Sequence, residues 1–388
     1  MDTTEPLLAG IRIADFSRVL AGPYCTALLA DQGAEVYKIE LPGVGDDSRH
    51  LGPFRGDDST YFSGINRGKH SFEADLKDPA ARAALLDFIA GCDVVVENFR
   101  PGVTAKLGLA FEDIVAVKPD IVYASISGFG QTGSATKRPA YDTVIQALTG
   151  LMATTGFPDG SPTRVGESIA DVSAGVFAAF GVTSALVRRD RTGQPAHIDI
   201  PMFDVMLAMQ PTNSAIYAAT DRAPQRVGNR HPVSAPFDTY RASDGLFVIA
   251  VANDRLFAAL ADALGAPELA ADPRFATDPA RSDNDAALRE AIEEFSRTRT
   301  VVQMCAHLDA AGIPSSPVWD FAEAVTSDIS TERGLLTHDE RLRHSYVAHP
   351  LLVDGSRPAS ALPVPRLGEH NAALLGENPA RTDFRTEG

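Results

Sequence analysis

Through roughly the first 200 residues, short β-branched runs alternate with helical patterns, and this alternation constrains the fold more than any other feature. Strands are expected at 11–15, 35–39, 93–97 and 121–127, with helical stretches at 25–30, 79–90 and 113–117 between them. Strands joined through helices return in the same direction by right-handed crossovers, so the pattern predicts a parallel, largely buried sheet in an α/β domain. In such sheets ligands bind where loops leave the carboxyl ends of the strands.

A helical pattern follows at 141–150, then a longer one at 172–188 whose Ala, Gly and Ser content predicts close packing against another element. At 221–236 the composition turns to Arg, Pro, Asn and Gly, the signature of a linker or mobile loop. Strands at 237–240 and 246–251 and helices at 254–264, 286–295 and 301–311 predict a smaller α+β domain. The tail has a turn-rich stretch at 355–365 and is expected to return to the first domain. The expected division is therefore 1–220 for the N-terminal part of a large domain, 221–318 for linker and small domain, and 319–388 for the returning segment.

Fifty-one acidic against 35 basic residues give a net charge of -16, which opposes non-specific nucleic-acid binding. Any anionic ligand must then be held by locally placed basic residues. The start is acidic and lacks the basic flank of a secretory signal, and no run of eighteen uncharged apolar residues is found. A cytoplasmic protein without a membrane partner is expected. Cys25, Cys92 and Cys305 lack metal-ligand spacing, so buried structural roles are expected for them. The third glycine position of a dinucleotide fingerprint begun at Gly43 and Gly45 is Ser48, and no Walker lysine, zinc signature or Gly-x-Ser-x-Gly elbow occurs.

What remains is a distributed pattern. The segments Asp15-Phe16-Ser17-Arg18-Val19-Leu20-Ala21-Gly22-Pro23, Lys38-Ile39-Glu40, Glu97-Asn98-Phe99-Arg100-Pro101-Gly102 and Gly166-Glu167-Ser168-Ile169-Ala170-Asp171-Val172 resemble class III CoA-transferases. Gly228-Asn229-Arg230-His231-Pro232 and Leu367-Gly368-Glu369-His370 extend the resemblance over almost the whole chain. The resemblance implies a Rossmann-like large domain built from both chain ends, a small domain between, and an interlocked homodimer. It implies acyl-CoA and carboxylic acid as substrates, with no metal or prosthetic group.

On its own residues, Asp171 opens a small-residue helical run and reads as a helix N-cap. The resemblance makes it the nucleophile, and the two roles are compatible because a helix N-terminus favours an anion. A carboxylate attacks weakly, but a thioester is activated, and a covalent sequence divides one hard step into easier ones. Backbone amides near Leu20 and Ala21 or in the Gly228 loop are the expected oxyanion donors.

Residues matching the family's CoA-contact positions are Leu20, Ala21, Leu41, Ala74, Lys77, Asn98, Phe99, Arg100, Lys106, Arg138 and Tyr141. Arg18, Lys77, Arg100, Lys106 and Arg138 supply the charge to neutralise phosphate. Some transferases carry glutamine where Leu20 stands and arginine where Leu41 stands, so contacts there are expected through the backbone. The segment Gly228, Asn229, Arg230, His231 replaces the polyglycine loop of the formyl-CoA enzyme, which speaks against that enzyme's mode of oxalate recognition. Arg230 or His231, with Arg226 nearby, is instead expected to read a carboxylate on the acyl group, as in succinyl-CoA.

Racemases of the same family need a histidine at the position of Tyr141, and a phenol is a poor base at neutral pH. A 2-methylacyl-CoA racemase is therefore the second reading. A non-catalytic acyl-CoA-binding protein is the third.

Overall fold

The β-branched runs of the N-terminal half assemble into one six-stranded parallel sheet, in a computed structural model that describes residues 5–372. Its strands are β1 (Arg12–Asp15), β2 (Glu35–Glu40), β3 (Lys69–Glu73), β4 (Val94–Glu97), β5 (Val122–Ser127) and β6 (Ala196–Pro201). Their spatial order is β3-β2-β1-β4-β5-β6, with every neighbouring pair parallel. The direction of winding therefore reverses between β1 and β4, which opens a crevice at their carboxyl ends.

Alternation along the strands supplies two apolar layers. Ile13, Val94 and Val96 face α1 (Ala21–Asp31) and a long helix beyond it. Ala14 and Val95 face the opposite layer, with Leu85 and Ile89 of α2 (Pro79–Ile89) and Ile114 of α3 (Phe111–Val117). A short helix, α4 (Asp142–Leu148), precedes the long one, α5 (Ile169–Thr192). By length and apolarity α5 could cross a membrane, but about half of its most apolar stretch is buried in this unit, as in a core helix.

The two edge strands lay hidden in the sequence for different reasons. β3 buries Lys69 and Ser71 in place of apolar side chains, because Lys69 Nζ meets Asp15 Oδ2 at 3.0 Å inside the sheet. β6 is partly exposed along its length and ends in a proline, as an edge strand can. The outer edge of β3 is covered by the returning tail. His370 N–H donates to Ser71 O at 3.1 Å, and Glu73 N–H donates to Asn371 Oδ1 at 2.9 Å.

The larger unit comprises residues 5–151, 164–215 and 328–372, and the smaller one 152–163 and 216–327. In the smaller unit β7 (Phe237–Arg241), β8 (Leu246–Ala250) and β9 (Ser315–Pro317) form an antiparallel sheet with β8 central. Phe247, Ile249, Leu260, Ile292 and Leu308 are buried in one core with α6 (Asp254–Ala263), α7 (Asp285–Ser296) and α8 (Val301–Ala310).

Candidate active site

The chain leaves β1 through Ser17–Leu20, turns into α1, and meets there the loop that leaves β4. Asn98 joins the two loops: its Oδ1 accepts Arg18 N–H and its Nδ2 donates to Arg18 O, both at 2.8 Å. Gly22 permits this tight entry, since a Cβ there would lie 2.2 Å from that of Ser17. Proline at 23 removes one of the amides that a helix N-terminus leaves unpaired. Among the described residues, the N–H groups of Leu20 and Ala21 have no protein acceptor.

Asp171 reaches the same place because α5 packs tightly on α1. Gly175 lies one turn further along α5, and a Cβ there would stand 2.7 Å from Ala21 O. The helix begins three residues earlier than its sequence pattern suggests, with Ser168 at the N-cap. Asp171 is therefore not the cap, as its position in the sequence had implied, but a first-turn residue. Among the described residues no group donates a hydrogen bond to its carboxylate.

A cavity of about 380 Å³ opens over this carboxylate. Leu20, Ala21 and Asn98 line it beside Asp171, and Arg100, Arg138 and Tyr141 line its remaining wall. A smaller cavity of about 170 Å³ is lined by Leu41, Ala74 and Lys77. Arg18 and Phe99 border both, so two loops of one switch point serve a pair of adjoining hollows. Lys106 lines neither and is exposed on its short helix.

The model of CoA-transferase family III matches residues 8–371. The chain belongs to that family. It is 45% identical over 370 residues to an acetyl-CoA:oxalate CoA-transferase of Acetobacter aceti, covering 95% of each chain. It is 34% identical to a succinate–glutarate CoA-transferase of Agrobacterium fabrum, covering 97% of each. Among solved structures, a CaiB/BaiF family protein from Brucella suis superposes with a TM-score of 0.85 at 36% identity, covering 96% of this chain and 99% of that one.

In this class III CoA-transferase the electrostatics of the cavity centre on Asp171. Burial, and then the neighbouring charge of Asp142, push its carboxyl up to about 7. Asp142, on the first turn of α4, is itself buried; its Oδ1 accepts Ala170 N–H at 2.8 Å and its Oδ2 accepts Gln146 Nε2 at 2.7 Å. Tyr61 faces the same charges, and burial followed by Asp171 raises its phenol to about 12. Glu97, the last residue of β4, accepts Phe99 N–H at 2.8 Å and is pushed up to about 7 by burial.

Asp142 and Tyr61 carry no motif of their own. Asp142 was visible only as the residue after Tyr141, which is 77% exposed and lines the cavity. Asp47, which pairs with Arg18 at 2.6 Å, gave no signal at all.

The Gly228 segment belongs to the smaller unit. Gly228 adopts φ +71°, and its N–H donates to Gly156 O at 3.0 Å. His231 stacks on Phe237 at 5.2 Å, and its Nδ1 accepts Val233 N–H. Arg226 is committed to the carbonyls of Ala153, Phe157 and Gly160 at 3.1, 3.4 and 3.0 Å, which ties 152–163 to this loop. Asn229 and Arg230 line a separate cavity of about 470 Å³ within the unit, with Asp285 opposite. Among the described residues only Arg230 of the three expected carboxylate readers keeps a guanidinium or ring without a hydrogen-bond or stacking partner, although its charge faces Asp285.

Proposed function

We propose that this enzyme moves CoA from a short acyl-CoA, acetyl-CoA or succinyl-CoA, to a dicarboxylic acid, with Asp171 as the covalent carrier. One observation supports this above the others: among the described residues Asp171 is a carboxylate without hydrogen-bond donors, in a cavity lined by two residues whose amides have no acceptor. A donor-free carboxylate keeps its lone pairs for attack, and fixed amides can meet charge as it forms on the attacked oxygen.

Asp171 attacks the donor thioester; the C–S bond breaks, giving a mixed anhydride and CoA thiolate. The thiolate then attacks the aspartyl carbonyl, expelling the donor acid and leaving an aspartyl-CoA thioester. The acceptor carboxylate attacks that thioester, releasing thiolate and forming a second anhydride. Thiolate attack at the acceptor carbonyl frees Asp171 and yields the new acyl-CoA. Each attacking group reacts as an anion, so once Asp171 is ionised no further proton need move. The sequence asks for oxyanion donors rather than a general base.

Arg18, Arg100, Arg138 and Lys77 border the two cavities and are the proposed partners of the CoA phosphates. For the acceptor, the relative named for oxalate, at 45% identity, weighs more than the altered Gly228 segment. Oxalate accordingly heads the acceptors to be tried, with succinate and glutarate next. The deciding experiment mixes enzyme with acetyl-CoA or succinyl-CoA and each acid, then follows products and rapidly quenched protein by mass spectrometry. Acyl or CoA mass on the peptide containing Asp171 is expected; turnover without any adduct there would refute the route.

We also propose the homodimer implied by the sequence resemblance. Its support is an exposed apolar stripe on α5, formed by Val176, Phe177, Phe180 and Val187. Light scattering on the purified protein tests it, and a monomer at micromolar concentration would overturn it.

A further inference from the structure

Val19, between Arg18 and Leu20, adopts φ +68°. A β-branched residue rarely enters that left-handed region, so something must hold it there. Its N–H donates to both carboxylate oxygens of Asp46, at 3.1 and 3.3 Å. Asp46 is buried, accepts from the N–H and the hydroxyl of Ser48 at 2.8 Å each, and pairs with Lys38 Nζ at 2.7 Å. Lys38 is fully buried too, and donates to Ser17 O at 2.9 Å, two residues before Val19.

The turn is thus gripped at three consecutive residues. Lys38 of β2 holds Ser17, Asn98 holds Arg18, and Asp46 holds Val19. Asp46 does not line the Asp171 cavity. Its effect on that cavity passes through the backbone of the two residues after Val19, Leu20 and Ala21, whose amides have no acceptor among the described residues.

We propose that Asp46, anchored by Lys38, is a positioning residue for the transfer reaction: it fixes the left-handed turn at Val19 and thereby aims the Leu20 and Ala21 amides at the acyl oxygen. This rests on the reading of Asp171 as the attacking group. Asp46 and Lys38 also border the smaller cavity, so a contribution to CoA binding alone is the competing explanation.

The two explanations separate in kinetics. A residue that aims oxyanion donors lowers kcat, whereas one that only binds CoA raises KM. Asp46→Asn is expected to lower kcat at least tenfold, with KM for the acyl-CoA changed less than threefold. Glycine occupies positive φ without steric cost. Adding Val19→Gly to Asp46→Asn is therefore expected to restore kcat at least threefold relative to the single variant. Should Asp46→Asn alone not fold, Asp46→Asn with Lys38→Gln removes both charges and takes its place in the same comparison.

A rise in KM alone, or a loss of kcat that Val19→Gly does not relieve, overturns the positioning role. Asp171→Asn is assayed alongside. If it is inactive while Asp46→Asn turns over normally, the positioning role fails alone. If Asp171→Asn is active, the reading of Asp171 fails instead.

Discussion

Asp142 is pinned to the amide of Ala170 at 2.8 Å, which fixes a second carboxylate against the residue preceding Asp171. Burial is the main cause that holds the Asp171 carboxyl up, and the nearby charge of Asp142 adds to it. On the proposed route Asp171 attacks only when ionised. With its carboxyl at about 7, kcat/KM is expected to rise with pH through that region and level off above it. Asp142→Asn keeps an oxygen for Ala170 and removes the charge, so the midpoint should move to lower pH, by roughly half a unit or more. A pH profile with acetyl-CoA as donor measures it, and an unmoved midpoint would remove Asp142 from the account.

Replacing Asp171 should abolish transfer and stabilise the fold. A raised carboxyl pKa means that the native state binds more protons than the unfolded chain between the ordinary value of 3.8 and about 7. The carboxyl's contribution to stability is therefore most favourable at low pH and declines as pH rises through 7. Asp171→Asn should melt higher than wild type at pH 8, on the order of 2 °C or more, with less difference at pH 4. Scanning calorimetry at the two pH values decides this, and a variant less stable at pH 8 would contradict it.

Arg100 and Lys106 lie six positions apart on the same loop and helix, yet of the two only Arg100 lines the Asp171 cavity or its smaller neighbour. Arg100→Ala should raise KM for acyl-CoA about tenfold, the loss of roughly one charge-assisted hydrogen bond. Lys106→Ala should change it less than twofold. Initial rates at two ionic strengths separate a specific contact from general attraction. Equal effects for both variants would mean that the phosphates are held by diffuse charge.

Transfer acts at the carbonyl and leaves the α-carbon alone. With a chiral 2-methylacyl-CoA in deuterated water, CoA should pass to an added acid without deuterium entering the α-position. Tyr141 supplies a phenol where a racemase has its histidine base. α-Deuteration in the absence of an acceptor acid would bring the racemase reading back.

The central strands and the loops between them were legible because β-branched runs bounded by turns announce buried strands. β3 was not, since Lys69 and Ser71 stand where apolar residues are expected, and their burial depends on partners such as Asp15, 54 positions away. The small domain's helices could be read from amphipathic spacing, but its claim on 152–163 could not, because Arg226 binds that segment through backbone carbonyls that any sequence presents. Asp171, Arg100 and Asn98 were found by resemblance. Asp46, Asp142 and Tyr61 escaped because their roles arise from proximity across the chain. An aspartate that accepts a backbone amide looks, in sequence, like any other aspartate.

The tail's bonds to β3 set an order of events during synthesis. Ser71 exchanges hydrogen bonds with His370, 299 positions later, so the sheet's outer strand keeps an open edge until residue 370 has left the ribosome. Pairings that distant in sequence close slowly, and an unpaired edge can recruit another chain in the meantime. Truncation before Gly368 should therefore yield a nascent chain that aggregates or is held by chaperones, even though each of the six parallel strands has already been made.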